Sequence, residues 1–482
     1  MHSQQQMAMH NFLYKKEERM EKMGTTTMEN PLGTEKIGKL LKQFCIPSII
    51  AMVVNSIYNI ADQIFIQRGV GTNGNAATTV AFPLITFTLA IALLVCNGAV
   101  AKASIKMGEH NKKEAEHILG NAFVLVILVS LALCLLAFAF FQPMLKMLGA
   151  SDAVLPYAED YVSIILCGTV FQAIGSGLSG FVRADGAPVT SMMGLVSGCA
   201  VNLILDPIFV FGFHWGVKGA AFATIISQLI TAIITMWYLL CKGNIRIHIK
   251  YMKLNLKMCF EFVALGLSSF VTQFANALVQ ISANQLLQKY GNNTDGVTGD
   301  IAMTAMGLTM KTNMLLIGIC VGIGTGAQPI LGYNKGAAKY KRVKQAYLSS
   351  VKAATIVSLV GWAMVEFIPG VILSIYGSND PQLFGFSEKT MRMFLGGVFL
   401  AGFNIVSSNY FQAVGKAGQA FILSMARQVF ALLPLMYILP LFIGIDGVLI
   451  SGGIADFVSF AIGFYFVWKE MKWLKKTIES CD

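Results

Sequence analysis

The sequence predicts an all-α polytopic membrane protein, with twelve transmembrane helices in two six-helix parallel repeats. Three observations carry this. Apolar runs long enough to cross a bilayer recur along nearly the whole chain. Hydrophobic residues make up 55% of the 482 and charged residues only 13%, which excludes an ordinary soluble protein. Short strings of the first half also recur in the second at a near-constant offset.

The spans are expected at 44–66, 76–101, 118–141, 156–180, 189–212, 219–240, 259–288, 301–330, 346–368, 391–411, 420–442 and 447–468. With both termini in the cytoplasm, the segments on that side hold 27 Lys and Arg and the opposite side 6. Lys311, Lys352 and Arg427 lie inside spans. The positive-inside bias therefore predicts a multi-pass protein of the cell (plasma) membrane with both termini cytoplasmic. The net charge of +11 is a topology signal, so the expected partner is the lipid bilayer and no nucleic acid. Residues 1–33 are polar and Met-rich without an apolar signal core, and read as a disordered cytoplasmic tail. Met20, Met23 and Met28 are alternative initiators. Nine cysteines are scattered singly, without CxxC or paired Cys/His spacing, and read as packing residues.

The connection 242–258 divides an N-lobe, 34–241, from a C-lobe, 259–470, with a second cytoplasmic tail at 471–482. Phe181-Val-Arg-Ala-Asp-Gly186 ends the fourth span and Phe411-Gln-Ala-Val-Gly415 the tenth. Gly186 and Gly415 stand 229 positions apart, and Gly219 and Gly447 stand 228. Gly108 with Asn111 is echoed by Gly332 with Asn334. Six spans per half is an even number, so the halves cross the membrane in the same sense, as in transporters that rock two lobes about a central site. Pro47, Pro83, Pro329, Pro434 and Pro440 lie within spans and favour kinks, either as static shape or as hinges.

Two acids sit at membrane depth. Asn55, Asn59 and Asp62 form one helical stripe on the first span, and Asn202 and Asp206 another on the fifth. A carboxylate in hydrocarbon costs several kcal/mol unless it faces protein or water and has a partner. Asp62 is about four residues from the outer end of its span and Asp206 about six, so at ~1.5 Å per residue their heights match. They are expected to share an N-lobe pocket with Asn55, Asn59 and Asn202. Such oxygens suit a hard cation, with Na⁺ at Asp62, Asp206 and Asn202, or a shared proton. Structural acids satisfied by neighbouring helices are the other reading.

Gln172 and Ser176 on the fourth span, and Gln273, Asn276 and Gln280 on the seventh, are candidate substrate-cavity residues. Lys311 either faces the cavity or snorkels to the surface. Arg427 is placed to snorkel or to pair with Asp456. The C-lobe positions matching Asp62 and Asp206 carry no acid, so coupling is expected in the N-lobe alone. No GxxxxGK[ST], HExxH or GxSxG string occurs, so no enzyme, ATP motor or cofactor is expected. The coupling ion is then H⁺ or Na⁺.

Several strings together resemble the multidrug and toxic compound extrusion (MATE) family over about residues 34–470. They are Tyr58-Asn-Ile-Ala-Asp62, Gly180 to Gly186, Asn202-Leu-Ile-Leu-Asp-Pro207, Gly216-Val-Lys-Gly-Ala-Ala221 and Arg427 followed by Pro434. Gly326-Ala-Gln-Pro-Ile-Leu-Gly-Tyr-Asn334 resembles the MepA-type branch. The resemblance implies MATE-like N- and C-lobes and a secondary active exporter of amphipathic, often cationic drugs by antiport with H⁺ or Na⁺. It implies an acidic ion site at Asp62 and Asp206, with Asn202 alongside. A monomer is expected. Two other readings are a flippase or exporter of a lipid-linked or endogenous metabolite, and a non-transporting membrane receptor or scaffold.

Overall fold

The computed structural model describes residues 30–148, 151–152, 154–292, 298–375 and 381–481. Among these the chain is helical with no strand. The first half comprises α1 (Ile37–Val70), α2 (Thr72–Gly108), α3 (Lys112–Ala139), α4 (Leu155–Ala184), α5 (Pro188–Gly212) and α6 (Gly216–Lys242). The second comprises α7 (Leu256–Gly291), α8 (Gly299–Gly336), α9 (Tyr340–Phe367), α10 (Pro381–Phe394 and Val398–Ala413, bent by 43°), α11 (Ala417–Ile443) and α12 (Ile445–Cys481). Eleven are long and apolar enough to cross a membrane, and the bent α10 makes twelve.

The duplication is written in the backbone. Left-handed residues close the turn after α2 at His110 (φ 58°) and after α8 at Ala338 (φ 53°), 228 positions apart. Gly186 (φ 97°) and Gly415 (φ 82°) do the same after α4 and α10, and Gly216 (φ 56°) and Gly444 (φ 59°) before α6 and α12. Only residues tolerating φ > 0 can hold such turns, and glycine does so without steric cost. The equivalent of Gly108 is therefore Gly336, one helical turn beyond the expected Gly332. Short helices Phe141–Met147 and Pro369–Ile375 repeat at the same offset after α3 and α9.

One segment differs from expectation. The tail expected to be disordered through residue 33 is folded from Asn30, and residues 1–29 lie outside the described residues. Pro31–Thr34 forms one helical turn with Leu32 buried, and the Leu32 carbonyl accepts from Asn334 Nδ2 (2.9 Å) and Arg342 Nη2 (3.2 Å). That explains Asn334 of the Gly-Tyr-Asn string, which anchors the chain entering α1 to the second half. The second tail, 471–482, continues α12 as helix to Cys481. At 37 residues α12 is about 55 Å long, against a hydrocarbon core of about 30 Å. Its terminal part carries Trp473, over whose ring lie the ammonium groups of Lys335 (4.8 Å) and Lys416 (4.6 Å).

The connection 242–258 is docked rather than loose. Ile245 and Ile247 are buried among residues of α2 to α4. The Asp185 carboxylate accepts from the Tyr238 hydroxyl (2.8 Å) and the N–H groups of Asn244 (2.7 Å) and Ile245 (3.0 Å). Burial pushes this carboxyl above its ordinary value, while the three donors pull it back. Asp185→Ala should speed amide exchange at 243–247 about tenfold or more, since a hydrogen bond to a charged group contributes about 1.5–3 kcal/mol. Unchanged exchange there would remove Asp185 as the fastening point.

Candidate carboxyl site and the seal between halves

α1 and α5 pack side by side and bring the two predicted acids together. The carboxyl groups of Asp62 and Asp206 lie within hydrogen-bonding range of each other. Asp206 and Asn202 are fully buried. Asp62 is half-buried overall, but its Oδ1 is sealed from solvent and finds no hydrogen-bond partner. Neither acid forms an ion pair among the described residues.

The Asn202 amide takes the orientation that satisfies both its ends. Nδ2 then donates to Asp206 Oδ2 at 2.7 Å and Oδ1 accepts from the Thr224 N–H at 3.2 Å. The reverse orientation offers only two bonds of 3.4 Å. The sequence reasoning missed three residues at this site. Tyr58 and Tyr161 lie near enough to feel the charge of both carboxyls, and Tyr58 lies near Thr224. Tyr58 stands one turn before Asp62, so the helical stripe could have included it; Tyr161 and Thr224 lie on other spans and gave no local signal.

The remaining candidates are dispersed. Asn55 is exposed, and Asn59 Nδ2 donates to the Asn55 carbonyl at 2.6 Å, so this bond holds Asn59 to its own helix. Gln172 and Ser176 are half-buried on α4, the first just before and the second within a π-helical turn at Ala173–Gly177. On α7, Gln280 Nε2 donates to Asn284 Oδ1 (3.1 Å), and the exposed Asn276 accepts from Gln428 Nε2 (2.5 Å). Gln273 and Lys311 are half-buried and form no hydrogen bond or ion pair among the described residues.

A metal fit can be tested on the donor set. Two carboxyls offer oxygen to a hard cation such as Na⁺. Asn202, however, turns its NH₂ toward the carboxyls and keeps its oxygen on Thr224. Turned the other way, Asn202 would present its oxygen to the carboxyls, so the donor set fits a shared proton or a hard cation. A proton between the two carboxyls removes their mutual repulsion with the atoms already in place.

The halves meet mainly along α2–α7 and α1–α8. Their closest approaches fall toward the end that carries the termini. A Cβ on Gly98 would lie 1.8 Å from the Phe262 carbonyl oxygen, and one on Gly266 1.7 Å from that of Leu94. Gly108 faces the Tyr333 oxygen and Gly336 the Ile105 oxygen, each at 2.0 Å. Backbone cannot swing aside as a side chain can, so only glycine permits this contact. A polar network crosses the same seam. Asn97 donates to Ser269 (3.0 Å), Gln412 donates to Ser269 (3.1 Å) and the Leu265 carbonyl (3.0 Å), and Gln328 donates to Gln412 (2.8 Å). Lys102 of α2 and Glu261 of α7 form an ion pair across it.

A duplicated membrane bundle, sealed between its halves at one end and holding a carboxyl pair inside one of them, defines a membrane transporter. A family model described as MatE matches residues 47–208 and 293–438, and the chain belongs to the MATE family. The multidrug export protein MepA of Staphylococcus haemolyticus (strain JCSC1435) is 24% identical over 433 residues, spanning 90% of this chain and 93% of its own. The solved MATE multidrug transporter DinF-BH is 31% identical with a TM-score of 0.84, covering 91% of this chain and 96% of that one. A crystal structure of MATE in complex with MaL6 shares the fold at a TM-score of 0.86 and 22% identity, covering 92% and 99%. The chain is thus a multi-pass membrane protein of a family of multidrug efflux transporters, not enzymes.

Proposed function

We propose that this protein exports amphipathic, often cationic small molecules across the plasma membrane by antiport, with a proton as the coupling ion. The contact between the Asp62 and Asp206 carboxyls carries this reading. Two neighbouring carboxylates without a basic partner need a cation between them. A shared proton satisfies the two carboxyls without further ligands, which favours H⁺ over Na⁺. With the termini in the cytoplasm, the glycine seal closes the inner face, so this state opens outward. Exchange of the proton at Asp62 and Asp206 would then accompany reversal of the seal. Relatives named for multidrug export and as a multidrug transporter support a broad substrate range.

Purified protein in liposomes, loaded with a fluorescent cationic dye and given Na⁺ or pH gradients separately, tests this. Dye movement is expected with the pH gradient. Movement with Na⁺ alone would overturn the proton assignment, and none with either would overturn antiport. Lys311, a half-buried cation without a partner, is assigned to the substrate cavity. Lys311→Gln should raise KM severalfold for neutral dyes relative to cationic ones, because loss of a like charge eases cation entry. Equal effects on both dye classes would exclude that role.

A further inference from the structure

The second half holds a buried carboxylate that the proposed exchange does not use. Asp456 of α12 is 1% exposed, and its Oδ1 accepts from Arg427 Nε at 2.5 Å. The pair is one-pronged. Arg427 Nη2 and Asp456 Oδ2 are both sealed from solvent and find no partner, although guanidinium and carboxylate favour a two-bond fork.

The reason lies in what holds Asp456. Its carboxylate is lodged at the bend of α10. A Cβ on Gly397 would lie 2.6 Å from Asp456 Cβ, 3.1 Å from its Oδ2 and 2.6 Å from the Gly453 carbonyl oxygen. One on Gly452 would lie 2.5 Å from the Phe394 carbonyl oxygen. Two glycines thus let α12 cross α10 where that helix is interrupted between Phe394 and Val398. There the N–H groups of Val398 and Leu400 make only short turns, to Leu395 and Gly397. A buried carboxylate beside the interrupted backbone of a membrane helix is how transporters hold ions.

Arg427 reaches this place from a π-helical turn, Ala426–Leu432, of α11. The first half builds the same crossing without charge. At the offsets of 229 for α5/α11 and 228 for α6/α12, Arg427 and Asp456 correspond to Gly198 and Gln228, and a Cβ on Gly168, the counterpart of Gly397, would lie 2.9 Å from Gln228 Oε1. The second half therefore carries an anion and a cation together at a helix crossing where the first half carries neither.

We propose that Asp456 and the interrupted segment of α10 form a second cation site, which the chain fills with its own side chain. Arg427 is a tethered counter-cation. A guanidinium stays charged at any physiological pH and cannot leave, so this site exchanges nothing during transport. The number of ions coupled to each substrate is then set by the first half alone. This rests on the reading of Asp62 and Asp206 as the exchanging pair.

The test is the number of ions moved per dye molecule in liposomes, from the opposing gradient that stops net flux. The Arg427→Met/Asp456→Leu double variant, neutral at both positions, should keep the wild-type ratio. Arg427→Met alone should raise the ratio by one, because the uncovered carboxylate then takes up a proton or Na⁺ from solution. A double variant whose ratio falls by one overturns the proposal, as does an unchanged ratio in Arg427→Met. Failure of the underlying reading would appear separately, as a wild-type ratio in Asp62→Asn, whatever the Arg427 variants do.

Discussion

Asp62→Asn and Asp206→Asn are each expected to reduce gradient-driven export to background while folded protein remains in the membrane. Asparagine preserves the shape of the carboxyl and its capacity for hydrogen bonds, but it cannot give up and regain a proton. The structural cost should be small. Each substitution removes a buried charge that lacks an ionic partner, and discharging such a site offsets the loss of a charge-assisted bond. Asp206→Leu is the informative contrast. It strands the Asn202 NH₂, now bonded to Asp206 Oδ2 at 2.7 Å, and an orphaned buried donor costs about 1–3 kcal/mol. That variant should lose both export and thermal stability. Dye flux in liposomes beside a melting curve separates the two outcomes. Wild-type flux from both Asn variants would end the coupling role of this pair.

The second large effect is expected at the seam. Gly266→Val places a branched side chain where even a Cβ would lie 1.7 Å from the Leu94 carbonyl oxygen. The α2 and α7 backbones must separate, because no rotamer relieves a clash at Cβ. Overpacking of this kind costs about 1–3 kcal/mol. Against a two-state equilibrium that is roughly a five- to 150-fold shift, at 1.4 kcal/mol per factor of ten. The state closed at the termini end should lose population, and transport should slow because one half of its cycle is disfavoured. Hydrogen exchange would report it as faster exchange along 92–108 and 256–270. The control is Gly38→Ala, where a Cβ meets nothing within 4 Å. Equal exchange in wild type and Gly266→Val would mean that the glycine contact does not hold the seam.

Much of this architecture was legible because the membrane imposes simple rules. Span number follows from apolar length, and the duplication follows from strings near Gly186 and Gly415. Asp62 and Asp206 stood out because acids are rare in hydrocarbon, and one estimate of depth sufficed to pair them. For the same reason Arg427 was expected either to snorkel or to pair with Asp456, and it pairs. What the sequence withheld is long-range or backbone geometry. Tyr161 and Thr224 approach the carboxyls from α4 and α6, and no local pattern marks a residue that contributes through tertiary packing. The break in α10 is hidden because Gly396 and Gly397 resemble packing glycines, and the expected span 391–411 simply overran it. Asn55 and Asn59 shared a stripe with Asp62, yet Asn59 spends its amide on the backbone one turn earlier. A stripe fixes direction but not which partner an amide will choose.

The overhang of α12 makes the molecule its own pointer. A stiff rod anchored in one half and reaching well past the bilayer magnifies any tilt of that half at its tip. A fluorophore attached near Glu479 would sweep a wider arc than a label placed within the lipid. Turnover would then be readable in single molecules as angular jumps, with no modification of the pathway the cargo follows.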